Sequence, residues 1–328
     1  MARAWHLKSR PTGTPTKDNF ALEEVELPPL EDGMIRIRNL WLSVDPYMRG
    51  RMNESKSYIP PFALDAPMEG GAVGEVVESK ADGFKAGDLV LHMAGWRDEA
   101  VIPSKGVMKL PDLGASPQTF LGILGMPGAT AYFGLLDAAS AREGETVFVS
   151  AAAGAVGSAV VQIAKARGMT VIGSARGKEK CDFVRSLGAD QVIDYSAGPI
   201  ARSLREAAPE GVDVYFDNVG GAHLDAAFAR ARQNARFALC GMIEGYNSAE
   251  PACFRYIIRI IAMRIRVQGF LYGDYVKRLD EFYRDMGPWV ASGAVKQRET
   301  VVEGLENMPD AFLGLFTGAN IGKMLVRV

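Results

Sequence analysis

The sequence predicts an α/β protein with two domains, one β-rich and one built on a doubly wound parallel sheet. Three observations carry this prediction. A glycine-rich turn separates a β-favouring run from an amphipathic helix within residues 145–165. From about Leu121 strand-like and helical stretches alternate, which is the pattern of βαβ units. Before that point strand patterns and turn residues dominate, and no helical period is sustained.

The first 125 residues form the predicted β-rich domain. Residues 34–40 alternate apolar and charged side chains, as a half-buried strand does, and residues 72–78 and 89–92 are further strand candidates. Residues 46–52 are a short helical piece. Near its start Asp45 and Arg49 stand four positions apart, so they can pair across one turn.

The glycine turn has the spacing of a dinucleotide-binding fingerprint. Ala152, Gly154 and Gly157 occupy the key positions of G-x-G-x-x-G, and Ala155 and Val156 open the following helix. A side chain at Gly154 would block the pyrophosphate, and Gly157 lets the helix pack closely. The N–H groups of the helix start attract phosphate. An ordinary βα turn is the alternative, but the flanking strand and helix favour nucleotide binding.

The remaining elements complete the second domain. We expect strands at residues 170–174, 191–194, 212–216, 235–240 and 264–270, and helices at residues 178–187, 200–208, 222–231 and 274–292. With the strand before the glycine turn, this gives a doubly wound sheet. Two last strands, residues 299–302 and 323–328, bracket a helical turn at 305–317 and are expected to return to the first domain. The strand at 264–270 would lie at a sheet edge, which makes a homodimer plausible.

The composition of the chain excludes some classes of binding partner and indicates a cellular location. The net charge of −2 indicates no nucleic-acid partner. Residues 118–136 lack charges but contain four glycines and a proline, which favours a bent buried segment over a membrane span. The first eight residues lack the apolar region of a signal peptide. The separated cysteines, Cys181, Cys240 and Cys253, are expected to be reduced and buried, so a cytoplasmic protein is predicted.

The end of the second parallel strand indicates which dinucleotide binds. An NAD site usually carries an acidic residue there, about 20 residues after the glycines. Residues 173–178 contain no acid. Ser174 leaves room, and Arg176 and Lys178 supply positive charge, which suits the 2′-phosphate of NADP(H). The alternative is a pair of solvated cations, but cations are unfavourable at a helix start.

The sequence offers no metal site and no familiar nucleophile. None of the three histidines, His6, His92 and His223, stands at ligand spacing from a cysteine. No tyrosine is followed four positions later by lysine, and no G-x-S-x-G elbow occurs. Hydride transfer without a metal needs an acceptor already activated by conjugation, such as an enone or a quinone. It also needs a hydrogen-bond donor for the enolate-like oxygen.

Several stretches resemble the medium-chain dehydrogenase/reductase superfamily, in its zinc-independent leukotriene 12-hydroxydehydrogenase/prostaglandin reductase branch with alkenal and curcumin double-bond reductases. These stretches are residues 42–49, 125–136, 151–158, 216–221, 241–247, 303–309 and 320–323. The resemblance implies a GroES-like catalytic domain, residues 1–125 with 297–328, and an NADP-binding Rossmann domain, residues 126–296. It implies NADPH-dependent reduction of the α,β double bond of enones and enals. An NADPH quinone oxidoreductase and a non-enzymatic NADPH-binding or structural protein remain alternatives.

The resemblance also assigns site residues. Tyr246 corresponds to the tyrosine beside the nicotinamide and the substrate carbonyl, and Tyr47 lies on the substrate side. Lys178 resembles the lysine that binds the 2′-phosphate, with Tyr195 beside it. Other positions expected to line the cofactor are Met126, Pro127, Gly128, Thr130, Asn218, Cys240, Met242, Ile243, Phe270, Tyr272 and Asn320.

Two further stretches matter for the comparison with this branch. Met68-Glu69 stands where zinc-containing relatives carry a His-Glu pair, so no metal is expected. After Tyr246 the chain departs from the proline-rich loop of many relatives. Phe254, Ile257, Ile258 and Ile261 follow at helical spacing, and this segment is expected to help cover the substrate pocket.

Overall fold

The computed structural model describes residues 1–328, which divide into two compact units. The first unit comprises Met1–Leu121 and Glu299–Val328, and the second comprises Gly122–Arg298. The strands in chain order are β1 (Ala2–Leu7), β2 (Phe20–Val25), β3 (Met34–Ser43), β4 (Ala72–Ser79), β5 (Leu89–His92), β6 (Glu99–Pro103), β7 (Met108–Lys109), β8 (Thr146–Val149), β9 (Thr170–Ala175), β10 (Gln191–Asp194), β11 (Val212–Asp217), β12 (Ala231–Leu239), β13 (Arg266–Gly269), β14 (Glu299–Glu303) and β15 (Lys323–Arg327). The helices are α1 (Met48–Arg51), α2 (Met126–Phe133), α3 (Ala155–Ala166), α4 (Lys178–Ser186), α5 (Ile200–Ala207), α6 (Gly221–Arg230), α7 (Arg259–Met263), α8 (Leu279–Ala291) and α9 (Met308–Thr317).

The first unit is organised around β3. Its alternating side chains bury Ile35 and Ile37 on one face and direct Arg36 and Arg38 to ion pairs on the other. The sheet order is β14-β15-β3-β4-β5-β7, with β6 also paired to β3, and β1 pairs with β2. The last two strands therefore return to this sheet, as the sequence analysis predicts. Four strands, β1, β2, β6 and β7, are not identified in the sequence analysis.

The second unit contains the predicted doubly wound sheet. Its six parallel strands follow the order β10-β9-β8-β11-β12-β13, so the order reverses between β8 and β11. The prediction of a two-domain α/β fold with a Rossmann-type sheet is confirmed. In the core, the rings of Phe148 and Tyr215 stack with centroids 5.0 Å apart. The α3 helix buries Val160 and Ile163 against this sheet.

Two local expectations need correction, and a third is confirmed. The predicted helix at 274–292 is a 3₁₀ segment, Tyr272–Arg278, followed by α8. The bent, buried segment expected at 118–136 is confirmed: most of it is buried, and it is divided into the 3₁₀ segment Pro117–Leu121, α2 and the start of a π-helical turn, Gly134–Ala138. None of the helices has both the length and the apolar character needed to cross a bilayer. All three cysteines are free, but Cys253 is exposed because it lies in an irregular loop before α7.

Candidate cofactor and substrate site

The glycine turn connects β8 to α3 in the form that a pyrophosphate requires. Ala152 N–H donates to Ser174 O on β9 (2.9 Å), which anchors the turn to the neighbouring strand. A Cβ on Gly157 would lie 2.3 Å from Ala151 O, so helix packing demands glycine there. A Cβ on Gly154 would meet only Ala151 O, at 3.3 Å. The chain itself thus leaves space in front of Gly154, which fits close approach by a dinucleotide.

The carboxyl end of β9 combines polarity with positive charge. Ser174 is fully buried, and its Oγ has no hydrogen-bond partner, so a polar ligand group can satisfy it. Arg176 is exposed immediately after the strand. Lys178 projects outward with 89% of its side chain exposed, and its Nζ pairs with Asp182 at 2.5 Å.

Lys180 lies two residues after Lys178 in α4 and has a different environment. It is half-buried. Burial lowers the pKa of its ammonium group, and the nearby charge of Arg176 lowers it further. The charges of Lys180 and Arg176 are therefore near enough to repel each other, and a dianionic phosphate would reduce that repulsion. The sequence analysis missed Lys180; its i, i+4 relation to Arg176 was the available signal.

Tyr195 follows β10 at the same end of the sheet. Its backbone N–H donates to Ala175 O (3.2 Å), and its ring meets the ring of His223 edge-on, with centroids 5.0 Å apart. Burial raises the pKa of the Tyr195 phenol. The structure therefore brings Ser174, Arg176 and Tyr195 to one edge of the sheet, at the carboxyl ends of β9 and β10.

The carboxyl ends of β11 and β12 hold a second group of predicted residues. Asn218 donates its side-chain Nδ2–H to Ser150 O at 2.8 Å. Tyr246 is half-buried, and its hydroxyl oxygen accepts the N–H of Met242 at 3.3 Å. Burial and the nearby Asp217 carboxylate raise the pKa of the Cys240 thiol to about 12, so Cys240 stays protonated at neutral pH. Met242 and Ile243 lie between Cys240 and Tyr246, half-buried.

The segment before and within α2 is shaped by close backbone packing. A Cβ on Gly128 would lie 1.8 Å from Ile123 O, so this position accepts only glycine. Pro127 is buried, whereas Met126 and Thr130 are half-buried and remain open to a ligand. Phe270 is different: it is buried and its ring packs edge-on against Phe216, with centroids 6.0 Å apart. Its contacts are those of a core residue.

Tyr272 stands two positions beyond Phe270, at the start of a 3₁₀ segment. Its side chain is half-buried, and burial raises the pKa of its phenol. The apolar positions after the Tyr246 loop do not form a buried face. The side chains of Ile258 and Ile261 are 68% and 74% exposed, and Ile257 is exposed as well.

Tyr47 and Asn320 belong to the first unit. Burial, together with the Asp45 carboxylate, raises the pKa of the Tyr47 phenol above its usual range, so the hydroxyl remains a donor. Asn320 donates from Nδ2 to Gly322 O at 2.8 Å. The expected pair between Asp45 and Arg49 does not form. Asp45 instead pairs with Lys323 at 2.7 Å, and both side chains are buried.

Arg49 is occupied by other acceptors. Its Nη1 donates to Asn53 Oδ1 and its Nη2 donates to Gly13 O, both at 2.7 Å. The Glu69 carboxylate binds the buried Arg51 guanidinium at 2.7 Å. No three or more His, Cys, Asp or Glu side chains are grouped so that they could hold a metal ion.

Comparison with known proteins gives consistent matches over the whole chain. The family described as N-terminal domain of oxidoreductase matches residues 3–110, and the family described as zinc-binding dehydrogenase matches residues 155–292. NADPH-dependent curcumin reductase of Escherichia coli (strain K12) is 43% identical over 99% of this chain and 96% of its own length. The NADP⁺-dependent 2-alkenal reductase of Nicotiana tabacum is 40% identical over 98% of this chain and 96% of its own length. The crystal structure of CurA in complex with NADPH from Vibrio vulnificus superposes with a TM-score of 0.94 at 44% identity, covering 99% of both chains.

Proposed function

Because the chain belongs to the zinc-independent prostaglandin reductase branch of the medium-chain dehydrogenase/reductase superfamily, we propose that it reduces the α,β double bond of enones and enals with NADPH. One observation carries this proposal. A nucleotide turn followed by an acid-free, basic strand end occurs in a chain that is similar over its full length to an NADPH-dependent curcumin reductase and a 2-alkenal reductase. Its substrate is therefore a small activated alkene.

The residues present fit NADPH. When bound, this cofactor supplies a hydride for the electron-poor β-carbon of the substrate. The N–H groups of Ala155, Val156 and Gly157 at the start of α3 would hold the pyrophosphate. Ala152 anchors the turn, and Gly154 leaves the approach open. The buried Ser174 hydroxyl can satisfy its hydrogen-bonding capacity on the ribose or its phosphate.

We assign the 2′-phosphate to Arg176 and Lys180 rather than to Lys178. Lys178 has an exposed side chain, and its ammonium group already pairs with Asp182. Lys180 is half-buried beside Arg176, and a phosphate between the two would relieve their repulsion. Tyr195 would form the outer wall of the adenosine site.

Tyr246 is the proposed hydrogen-bond donor for the enolate oxygen, with the ribose hydroxyl of the cofactor as the alternative donor. Its hydroxyl oxygen accepts the Met242 N–H, and a phenol is the type of donor that an enolate-like oxygen requires. The α-carbon would be protonated by Tyr246 or by solvent. Tyr47 would contact the substrate, and its raised pKa keeps its hydroxyl a donor rather than a base. Met126, Pro127, Thr130, Asn218, Cys240, Met242, Ile243, Tyr272 and Asn320 are proposed to line the cofactor.

The test is an NADPH-oxidation assay across alkenals, aryl enones, oxo-fatty acids and quinones, with product analysis. We expect turnover of enones and enals, with the double bond reduced and the carbonyl retained. Faster turnover of a benzoquinone than of every enone would favour a quinone reductase. Tight NADPH binding without turnover on the whole panel would favour a non-enzymatic role.

We also propose a homodimer formed through β13. This edge strand pairs only with β12, and all four of its residues are exposed. The exposed Ile258 and Ile261 lie just before it in the chain and add apolar area to that surface. Light scattering after size exclusion should give a dimer mass. The Val267→Lys variant should give a monomer, because a charge on an edge strand opposes pairing.

A cytoplasmic location is proposed from the three free cysteines, since oxidising compartments favour disulfides. Fractionation of cells that express the protein should recover it with the cytoplasmic markers. Recovery with secreted or membrane fractions would contradict this location.

A further inference from the structure

Asp217, the last residue of β11, has an unusual environment. It is fully buried. Its Oδ1 accepts four hydrogen bonds, from Tyr215 Oη (2.6 Å), Ser150 Oγ (3.1 Å), Val219 N (2.9 Å) and Gly220 N (2.8 Å). Its Oδ2 is buried and has no partner. Burying a carboxylate without a cation costs free energy of folding. The four hydrogen bonds offset part of that cost, and they fix the positions of the residues that donate them.

The contacts of Asp217 join the ends of three neighbouring strands. Ser150, which donates to its carboxylate, follows β8. The backbone oxygen of Asp217 accepts the N–H groups of Cys240 (2.9 Å) and Gly241 (3.1 Å), which follow β12. Ser150 Oγ in turn accepts the backbone N–H of Asn218 at 2.9 Å, and Ser150 O accepts from the Asn218 side chain at 2.8 Å, so Ser150 holds Asn218 at two points. One residue thus contacts all three connections, two through its carboxylate and the third through its backbone oxygen.

The strand order indicates which half of the cofactor would bind near these connections. In a doubly wound sheet the dinucleotide lies across the point where the strand order reverses, here between β8 and β11. The basic residues for the adenosine half follow β9. The nicotinamide half therefore belongs to the ends of β11 and β12, which carry Asn218 and Tyr246.

We propose that Asp217 is a positioning residue that sets the nicotinamide half of the cofactor site through Ser150 and Asn218. This inference rests on the proposed function. Val219 and Gly220 are held by an anionic acceptor, which binds two backbone N–H groups more strongly than a neutral one. Gly220 has a positive φ of 75°, so the turn has a conformation that needs such support. Without the carboxylate, Asn218 loses its fixed orientation while β9 and β10 keep theirs.

The test separates the two halves of the ligand. Calorimetry would measure the binding of NADPH and of adenosine 2′,5′-bisphosphate, which contains only the adenosine half. We expect Asp217→Asn to weaken NADPH binding by about tenfold or more, because charge-assisted hydrogen bonds are lost. Binding of the bisphosphate should stay within about twofold of that of the unsubstituted protein, since the adenosine-half contacts are separate from this cluster. The fluorescence enhancement of bound NADPH should also fall.

Asp213→Asn is the matched control. Asp213 lies at the opposite end of β11, where its Oδ2 accepts the Thr146 N–H at 2.9 Å and binds Arg232 at 2.6 Å. This variant should leave both ligands unaffected. If Asp217→Asn does not fold, Ser150→Ala tests the same link, because it keeps the carboxylate and removes the Oγ that joins Asp217 to the backbone N–H of Asn218. It should also weaken NADPH and spare the bisphosphate.

Equal weakening of both ligands by Asp217→Asn or Ser150→Ala would overturn the inference, since it would mean general damage to the sheet. Unchanged NADPH binding in both variants would overturn it as well. If the unsubstituted protein bound neither ligand, the proposed cofactor would be wrong and this inference would be overturned with it. The two failures are therefore distinguishable.

Discussion

The Nζ atom of Lys323 lies 2.7 Å from Oδ1 of Asp45, and the two side chains are only 3% and 7% exposed. Asp45 follows β3, and Lys323 begins β15, so this buried pair joins the two chain segments that form the first unit. Lys323 also donates to Val44 O at 3.0 Å, and Ser43 Oγ donates to the second oxygen of Asp45. The charges are therefore hydrogen-bonded as well as paired.

Removing one partner of this pair should destabilise the protein strongly. Lys323→Met leaves the Asp45 carboxylate buried without a cation, and such losses cost about 3–5 kcal/mol of unfolding free energy. Denaturant unfolding measures the change. The control is Arg202→Ala, which removes an exposed pair with Glu206 and should cost less than about 1 kcal/mol. A loss for Lys323→Met as small as that of the control would show that the pair contributes little.

The two lysines of α4 should differ in their effect on cofactor choice. Lys180→Ala should raise the KM for NADPH by about tenfold or more and leave the KM for NADH nearly unchanged, because only NADPH carries the 2′-phosphate. Lys178→Ala should change either value by less than about twofold, since Lys178 is paired with Asp182. Steady-state kinetics with both cofactors decides. The reverse ranking would restore Lys178 to the role that the sequence analysis gave it.

Alanine at two glycines of the turn should change stability and NADPH binding differently. Gly157→Ala forces a Cβ to 2.3 Å from Ala151 O, so both stability and NADPH binding should fall. Gly154→Ala meets only one atom at 3.3 Å, so the protein should keep its melting temperature within a few degrees and still lose NADPH affinity. Thermal melting and calorimetry on both variants separate the effects. Full NADPH affinity in Gly154→Ala would contradict the proposed pyrophosphate position.

Tyr246→Phe should lower kcat by about a hundredfold and change the dissociation constant of NADPH little, because one donor to a developing oxyanion is lost. Tyr132→Phe is the matched control; its hydroxyl donates to Asp285 within the second unit. Single-turnover kinetics would isolate the chemical step. If kcat is retained in Tyr246→Phe, the ribose hydroxyl must be the donor.

Stability should fall in mild acid because of buried histidines. Burial lowers the pKa of His223 to about 4, whereas an unfolded histidine has a pKa of 6.5. The unfolded state therefore binds more protons between these values, so this contribution is complete above about pH 6.5 and is lost as the pH falls towards 4. His223→Phe should reduce the slope of unfolding free energy in this window, since both ring nitrogens lack partners and the ring stacks on Phe148. His92, whose pKa burial lowers to about 3, should still supply part of the slope. An identical slope in the variant would exclude His223 as a source.

Local sequence signals predicted the elements that depend on near neighbours. The glycine turn, α3, and the strands β8 to β11 were placed within a few residues, because hydrophobic periodicity and glycine requirements act over one or two turns of chain. The strands β1 and β2 were missed, since their pairing with each other is not visible in either segment alone. The predicted helix at 274–292 was wrong over its first turns because helical spacing does not distinguish a 3₁₀ segment from an α-helix.

The sequence by itself determined the parallel-sheet unit, the nucleotide turn and the acid-free basic strand end that favours NADP(H). Only the tertiary structure decided which cations lie together and which carboxylates are buried. Lys178 and Lys180 have similar sequence contexts, but one pairs with Asp182 outside and the other lies beside Arg176. Asp45 pairs with Lys323 near the far end of the chain, and Asp217 accepts hydrogen bonds from residues at the ends of two strands. Periodicity acts between neighbours in sequence, whereas charge pairing and burial depend on distances that exist only after the chain has folded.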